Sequence, residues 1–258
     1  MGLTKRPVAL ITGGSRGIGA ATAHALAGLG YDVAITYHNK AARANEVVTE
    51  VTRQGVRALA IGCDITRQED IDLLFIRLGE WTDSLDVLVL NASGGLERDL
   101  VEADPQYPMR INRDAQLTIL DNALKVMVRG GVVVFVTSHW AHLYGQVEQL
   151  PSYAPVAESK YAGEQALLAQ KEMLAENNVR LIIVTGDLIE GTITPRLLER
   201  NAPGLVEQRR NIAGYLPTTD DMGRVIAAAA IDASLPNGHI VVVGGSLESL
   251  PHGDNKLD

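Results

Sequence analysis

Short unbroken apolar runs alternate along this chain with longer segments of helical spacing. Pro7–Thr12 (PVALIT) predicts a buried strand, and the alanine-rich stretch Gly17–Leu29 predicts a helix. The alternation continues with a strand at Asp32–Tyr37, a helix at Ala41–Gln54 closed by Gly55, a strand at Val56–Ile61 and a helix at Arg67–Trp81. Leu85–Leu90 and Val132–Thr137 are further apolar runs, separated by a stretch of helical pattern at about 105–128. A helix at Glu158–Asn177, a strand at Val179–Thr185, a helix at Thr219–Ala233 and a strand at Gly238–Val243 complete the series. Strands buried on both faces read as continuous apolar runs, and the helices between them read as crossovers. The pattern therefore predicts an α/β fold: a single doubly wound, Rossmann-like parallel sheet with helices on both faces. No repeat, low-complexity tract or Pro/Gly-rich linker divides residues 1–258, so one domain is expected. The irregular stretch Gly191–Pro217 lies past a strand's carboxyl end, where such sheets bind ligands. It reads either as a substrate loop or lid or as a plain surface connection.

Composition narrows the class. Of 258 residues 46% are hydrophobic and 21% charged, which is the mixture of a globular chain. The formal net charge of -8 argues against nucleic acid or an anionic membrane as the main partner. One cysteine, Cys63, excludes an internal disulfide framework and a cysteine-based zinc site, and no metal is expected. The opening MGLTKRPVALITGG lacks a signal-peptide layout, and no apolar run approaches the roughly 20 residues of a membrane span. A cytoplasmic location is the expectation.

The first strand leads through Thr12-Gly-Gly-Ser-Arg-Gly-Ile-Gly19 into the first helix. Gly13 suits a tight turn, Gly17 leaves room for a pyrophosphate near the backbone, and Gly19 permits close helix–strand contact. The helix N-terminus adds unpaired N–H groups and the positive end of its dipole. The context of strand, glycine loop and helix is what gives this fingerprint its weight as a dinucleotide site.

The same pattern, TGxxxGxG at Thr12–Gly19, resembles the short-chain dehydrogenase/reductase superfamily. Further signatures resemble it in order: Asp64 in Cys-Asp-Ile65, Asn91-Ala92-Ser93-Gly94, Asn112, Ser138 at a strand end, Lys160 in ESKYAGE, and the closing Val243-Gly-Gly-Ser. The likeness covers about Pro7 to Leu247 and is greatest to the 3-oxoacyl-carrier-protein reductase type. It implies hydride transfer between a nicotinamide cofactor and a small-molecule carbonyl. It also implies a homotetramer or homodimer built on the helices at about 105–128 and 158–177 and on the terminal strand. Gly13, Ser15, Arg16, Gly17, Ile18, Gly19, His38, Asp64, Ile65, Asn91, Ala92, Ser93, Lys160 and Thr192 are the cofactor candidates that it marks, with Asp64 meeting the adenine and Thr192 or Thr194 the nicotinamide side. Where the family has Pro-Gly after the sixth strand, this chain has Gly186-Asp187, and Asp187 could face the substrate or a water.

Charge points to the form of the cofactor. An NAD site places an acid at the end of the second strand for the ribose 2′-hydroxyl. Here the strand ends Thr36-Tyr37-His38-Asn39-Lys40, without one, and Arg16 stands in the glycine loop. A guanidinium fork suits a 2′-phosphate, so NADP(H) is expected.

The resemblance assigns Ser138 to orient the substrate oxygen, Lys160 to tune the acid and hold the ribose, and Asn112 to a water-linked proton path. Its usual tyrosine, four residues before the lysine, is missing: Val156 stands there and has no proton to give. Tyr153 lies three residues further upstream, just before a helix that Pro155 would open. Tyr161 follows Lys160 and points about 100° away from it on a helix. Four readings stay open: Tyr153 as a displaced acid, water or substrate as the proton source, a histidine (His139 or His142), or an inert site. The first three describe an NADPH-dependent reductase of an acyl, polyketide-like or ring ketone; the last describes a binding module.

Overall fold

The computed structural model describes residues 5–250; residues 1–4 and 251–258, at either end of the expected domain, lie outside the described part. Seven strands form one sheet: β1 (Val8–Ile11), β2 (Asp32–Tyr37), β3 (Ala58–Gly62), β4 (Leu85–Leu90), β5 (Met127–Ser138), β6 (Arg180–Gly186) and β7 (His239–Val243). Every pairing is parallel, and the order is β3-β2-β1-β4-β5-β6-β7. The order reverses between β1 and β4, which opens a crevice at their carboxyl ends.

The apolar runs work as expected, because alternate residues serve opposite faces. Ala9 and Ile11 of β1 join one core with Val33, Val134 and Val184, under the helices α1 (Gly17–Gly28), α2 (Ala41–Thr52) and α12 (Thr219–Ile231). Val8 and Leu10 join the other with Leu88, Val133 and Ile183. That second face is covered by α3 (Gln68–Trp81), α6 (Ala115–Ala123) and α8 (Ala154–Leu168).

Several boundaries differ from the sequence reading. The helix expected to reach Val128 stops at Ala123. Met127 instead pairs with Leu85, so ladder hydrogen bonding takes the last residues into a longer β5. Before α6 the chain passes through α4 (Arg98–Ala103), α5 (Tyr107–Met109) and a π-helical turn at Arg110–Asp114. The helix expected at Glu158–Asn177 starts earlier, at Ala154, with Pro155 in its first turn, where the missing N–H costs nothing. It tightens at Gln170, whose N–H reaches back to Leu167, and resumes as α9 (Lys171–Glu176).

The largest departure is Gly191–Pro217, which is not irregular. It folds into α10 (Thr194–Asn201) and α11 (Leu205–Ala213), punctuated by Gly191, Gly204 and Gly214, all at positive φ. A short helix, α7 (His139–His142), follows β5, and Ser138 caps it by accepting from the Ala141 N–H at 3.3 Å.

Candidate active site

The carboxyl edge of the sheet gathers the chemistry. Gly13 and Gly17 lie at φ +68° and +55°, the left-handed conformations that the glycine loop requires. A side chain at Gly19 would meet the Gly13 carbonyl at 2.4 Å, so α1 packs directly on the loop; around Gly17, by contrast, nothing lies within 4 Å. The loop is pinned from behind. The Thr12 hydroxyl accepts from the N–H groups of Asn91 and Ala92, both at 3.0 Å, and the Asn91 amide donates to the carbonyls of Thr12 and Gly13. No side chain caps the start of α1, and its first turn carries no acid. Its N–H groups therefore face the crevice as an uncapped anion site, and the residues present fit a dinucleotide diphosphate.

One strand over, His38 after β2 stands 3.6 Å from Asp64 after β3. Burial works against the Asp64 charge, but hydrogen bonds from the Thr66 N–H and hydroxyl, with His38 nearby, hold its carboxyl below the usual range. Arg16 is exposed at the mouth of the loop, and neighbouring Ser15 is half-buried. Asp32 is not in this group: it sits at the far end of β2 and is paired with Arg57 at 2.7 Å. Ile65 is a core residue beneath the same edge.

A cleft of about 190 Å³ opens beside the loop, between the ends of β4, β5 and β6 and the helix α10. Arg16, Ile18, Asn91, Ser93, Ser138, Tyr153, Lys160 and Thr192 all line it. Gly13, Ser15, Gly17, Gly19, His38, Asp64, Ile65 and Ala92 lie along the adjoining edge rather than in its wall. Thr192 turns its hydroxyl to the Ile189 carbonyl at 2.8 Å, and Thr194 lines the cleft at the start of α10.

Ser138 and Tyr153 meet. Their oxygens are 3.0 Å apart, although 15 residues separate them. Tyr153 stands immediately before α8, as Pro155 suggested, and is buried. Val156, on the first turn of the helix, lines the same cleft. Because Ser138 already accepts from Ala141, its own proton is available to Tyr153 or to a bound oxygen. Burial pushes the Tyr153 phenol up, and the Ser138 hydrogen bond opposes this, so the group is a neutral O–H donor at physiological pH. Lys160 reaches the cleft from α8 and donates to the Val136 carbonyl at 3.1 Å. Burial lowers its pKa to about 8 from 10.5, against the pull of Glu164.

Asn112 sits in the π-helical turn, behind the wall. Its carbonyl oxygen accepts from the Ser93 hydroxyl at 2.8 Å and the Gly94 N–H at 3.3 Å, while its amide donates to the Gly94 carbonyl and the Ser159 hydroxyl, both at 2.9 Å. The side chain thus fastens the β4 loop to α8. His139 begins a helix rather than prolonging β5, and its ring is engaged with Thr185 and the Gly245 carbonyl, away from Ser138. His142 bonds Glu164. Asp187 lines the cleft, but its oxygens are engaged from behind: both accept from Arg209 Nε, at 2.8 and 2.9 Å, and Oδ1 also accepts from the Leu188 N–H at 2.8 Å.

Three contributors escaped the sequence reading. Glu164 carried a signal, an acid four residues after Lys160 on the same helix face. Gly163 carried none, yet a Cβ there would meet the Asn112 carbonyl at 2.0 Å. Arg209 was one basic residue within a stretch read as a loop.

The family model described as short chain dehydrogenase matches residues 7–203. The hydroxynaphthalene reductase-like protein Arp2 of Metarhizium majus is 30% identical over 260 residues, covering 93% of this chain and 94% of that protein. Among solved structures, the promiscuous reductase LugOII, which catalyses keto-reduction at C1 during lugdunomycin biosynthesis, superposes with a TM-score of 0.79 at 28% identity, covering 93% of this chain and 98% of that one. The landomycin C-6 ketoreductase LanV, solved with NADP and rabelomycin, gives a TM-score of 0.76 at 28% identity, with 94% and 96% covered.

Proposed function

This chain belongs to the short-chain dehydrogenase family, and from that premise we propose that it is an NADPH-dependent ketoreductase of cyclic, polyketide-like ketones. The observation that carries the reading is the 3.0 Å contact between Ser138 and Tyr153 inside a cleft that Lys160 also lines. It supplies the proton donor that Val156 removes from the usual place. Bound on the glycine loop, the cofactor would supply hydride. Arg16 and His38, with no acid at the end of β2, favour the 2′-phosphorylated form.

In this reading Ser138 donates a hydrogen bond to the ketone oxygen and holds it beside Tyr153. Tyr153 gives up its phenolic proton as negative charge grows on that oxygen, where a dry site makes uncompensated charge costly. Lys160, as an ammonium, holds the ribose side and stabilises the phenolate left behind. Asn112 positions α8 and the β4 loop.

The cleft favours a flat apolar substrate, because Leu96, Trp140, Val156, Leu188, Ile193 and Leu198 form much of its wall. Arp2 is named for hydroxynaphthalene, a ring compound, and LugOII and LanV for keto-reductions in lugdunomycin biosynthesis and at C-6 of landomycin, which supports this class over a simple acyl chain. A hydroxy-ketone with an internal hydrogen bond would ask least of a displaced acid. Helices α10 and α11 serve as the substrate lid. The exposed Ile240 and Val242 on the edge strand β7 support a dimer or tetramer. No helix among the described residues is long and apolar enough to cross a membrane, and a cytoplasmic enzyme is our reading.

The test is NADPH oxidation with a panel of hydroxynaphthalenones, quinones and open-chain ketoesters. Turnover on the ring compounds is the expected result. Tight NADPH binding with no oxidation across the panel would instead identify a binding module, the reading that Val156 favours.

A further inference from the structure

Behind Lys160 lies a hydrogen-bonded acid–histidine pair with no part in the chemistry described so far. Glu164 is one helical turn along α8 from Lys160, and its side chain is 1% exposed. One carboxylate oxygen accepts from His142 Nδ1 at 2.6 Å; the other has no hydrogen-bond partner among the described residues. Leaving a carboxylate oxygen so bare is costly unless a cation lies close by. Lys160, one turn back on the same helix, is the cation whose charge Glu164 favours. It is itself buried, its only hydrogen bond is to a neutral carbonyl, and among the described residues no carboxylate touches it.

We propose that Glu164, oriented by His142, is a positioning residue that supplies the counter-charge holding Lys160 as an ammonium toward the cleft. This rests on the ketoreductase reading for its purpose, though not for its physics. A buried lysine sheds its proton unless an opposite charge lies within a few ångströms. His142 bridges Glu164 to the surface, since its side chain is 13% exposed, and as the only donor to an acceptor-only carboxylate it must carry its proton on Nδ1.

The other charged groups packed around α8 are spoken for. Arg110 pairs with Asp104 and Arg113 with Asp114, beside Tyr107 of α5. Asp121 of α6 and Arg129 of β5 are exposed, and Arg180 of β6 bonds the Asp232 and Leu235 carbonyls. Asp187 is neutralised by Arg209, His139 is turned to Thr185, and Tyr153 bonds Ser138. On α8 itself Glu158 is exposed beside Tyr144, which stacks near Tyr161. Glu164 is left as the anion that Lys160 senses.

The experiment follows the Lys160 side chain by NMR in the full chain labelled with ¹³C-lysine, titrated without nucleotide or substrate. In the unaltered protein its methylene signal is expected to titrate near 8. Glu164→Gln keeps the shape and the bond to His142 but removes the charge, and is expected to lower the midpoint by about one pH unit, a tenfold loss of proton affinity. His142→Ala strips Glu164 of its donor and shifts Lys160 the same way; His142→Asn, which can still donate, restores the midpoint. The alkaline limb of turnover moves with it. A midpoint that stays put in Glu164→Gln while circular dichroism reports a native fold overturns the proposal. If that variant does not fold, an unmoved midpoint in His142→Ala does the same. Absence of turnover on every carbonyl would sink the ketoreductase reading and leave this titration as readable as before.

Discussion

Tyr153 is the residue on which the chemistry turns. Family spacing would put a phenol on α8 itself, where the helix fixes its distance from Lys160. Here the phenol comes from the residue just before the helix, and its alignment depends on one hydrogen bond to Ser138. Removing the hydroxyl in Tyr153→Phe leaves the ring's packing and takes away the proton. General acid catalysis is worth about 10²–10⁴-fold, so turnover should fall by about a hundredfold or more, with the melting temperature little changed. Activity within twofold of the parent would take Tyr153 out of the mechanism and leave water or the substrate as the proton source. Arg16 offers a separate residue-scale test. It is exposed at the loop and tied to no carboxylate among the described residues, so its removal costs little stability. Arg16→Ala should raise KM for NADPH by about tenfold while leaving KM for NADH nearly unchanged, because the lost contact is charge-assisted and specific to the 2′-phosphate. Equal effects on both nucleotides would assign Arg16 to the shared diphosphate instead.

Among the elements, the strands and the first helices were legible because one force decides them. A run such as Val132–Thr137, buried on both faces of a parallel sheet, has no competing periodicity. The glycine loop was legible for a similar reason: backbone geometry restricts residue choice at Gly13, Gly17 and Gly19. The stretch Gly191–Pro217 carries loop-forming glycines and prolines along its length, but in the fold these sit at the ends of α10 and α11 and bound two helices. What holds those helices down is a long-range contact that no local pattern announces. Arg209 of α11 reaches Asp187 beyond β6, the Ser249 carbonyl and hydroxyl, and the face of Trp140. It is the fastening of the proposed lid. The pair is almost wholly buried, so removing one partner strands the other's charge, at a cost of about 3–5 kcal/mol. Arg209→Met should lower stability by that order in a denaturant melt. Cleavage by a protease within 191–217 should also accelerate, and ketone KM should rise more than NADPH KM. A melt unchanged within 0.5 kcal/mol, well inside the range of ordinary surface substitutions, would mean that α11 is held by its apolar contacts alone.

At the scale of the whole molecule, the buried ionisable groups set the pH range in which fold and chemistry coincide. His139 is fully buried, with Nε2 donating to the Gly245 carbonyl and Nδ1 accepting from Thr185. Burial drives its pKa down to about 4 from 6.5, with nearby Asp187 pulling the other way. The folded state therefore resists a proton that the unfolded chain accepts. Stability from this group is complete above about 6.5 and drains away as pH falls to about 4, a loss on the order of 3 kcal/mol. At the alkaline end Cys63 works with the opposite sign. Burial raises its thiol to about 12 from 9.0, so above about 9 the unfolded chain gives up a proton that the fold retains, and stability falls. Lys160 is needed as an ammonium, which confines turnover to pH below about 8. Lys160 opposes Cys63: between about 8 and 10.5 the fold has shed a proton that the unfolded chain keeps, so stability from this group rises. Melting temperature should therefore climb between about 4 and 6.5, hold to about 8, where turnover is lost, and fall only above about 10.5, where the Cys63 loss is unopposed. His139→Gln, whose amide can still serve both neighbours, should flatten the acid limb, and Cys63→Ala the alkaline one. An acid limb as steep in His139→Gln as in the parent would move the acid sensitivity to other groups and remove His139 from the account.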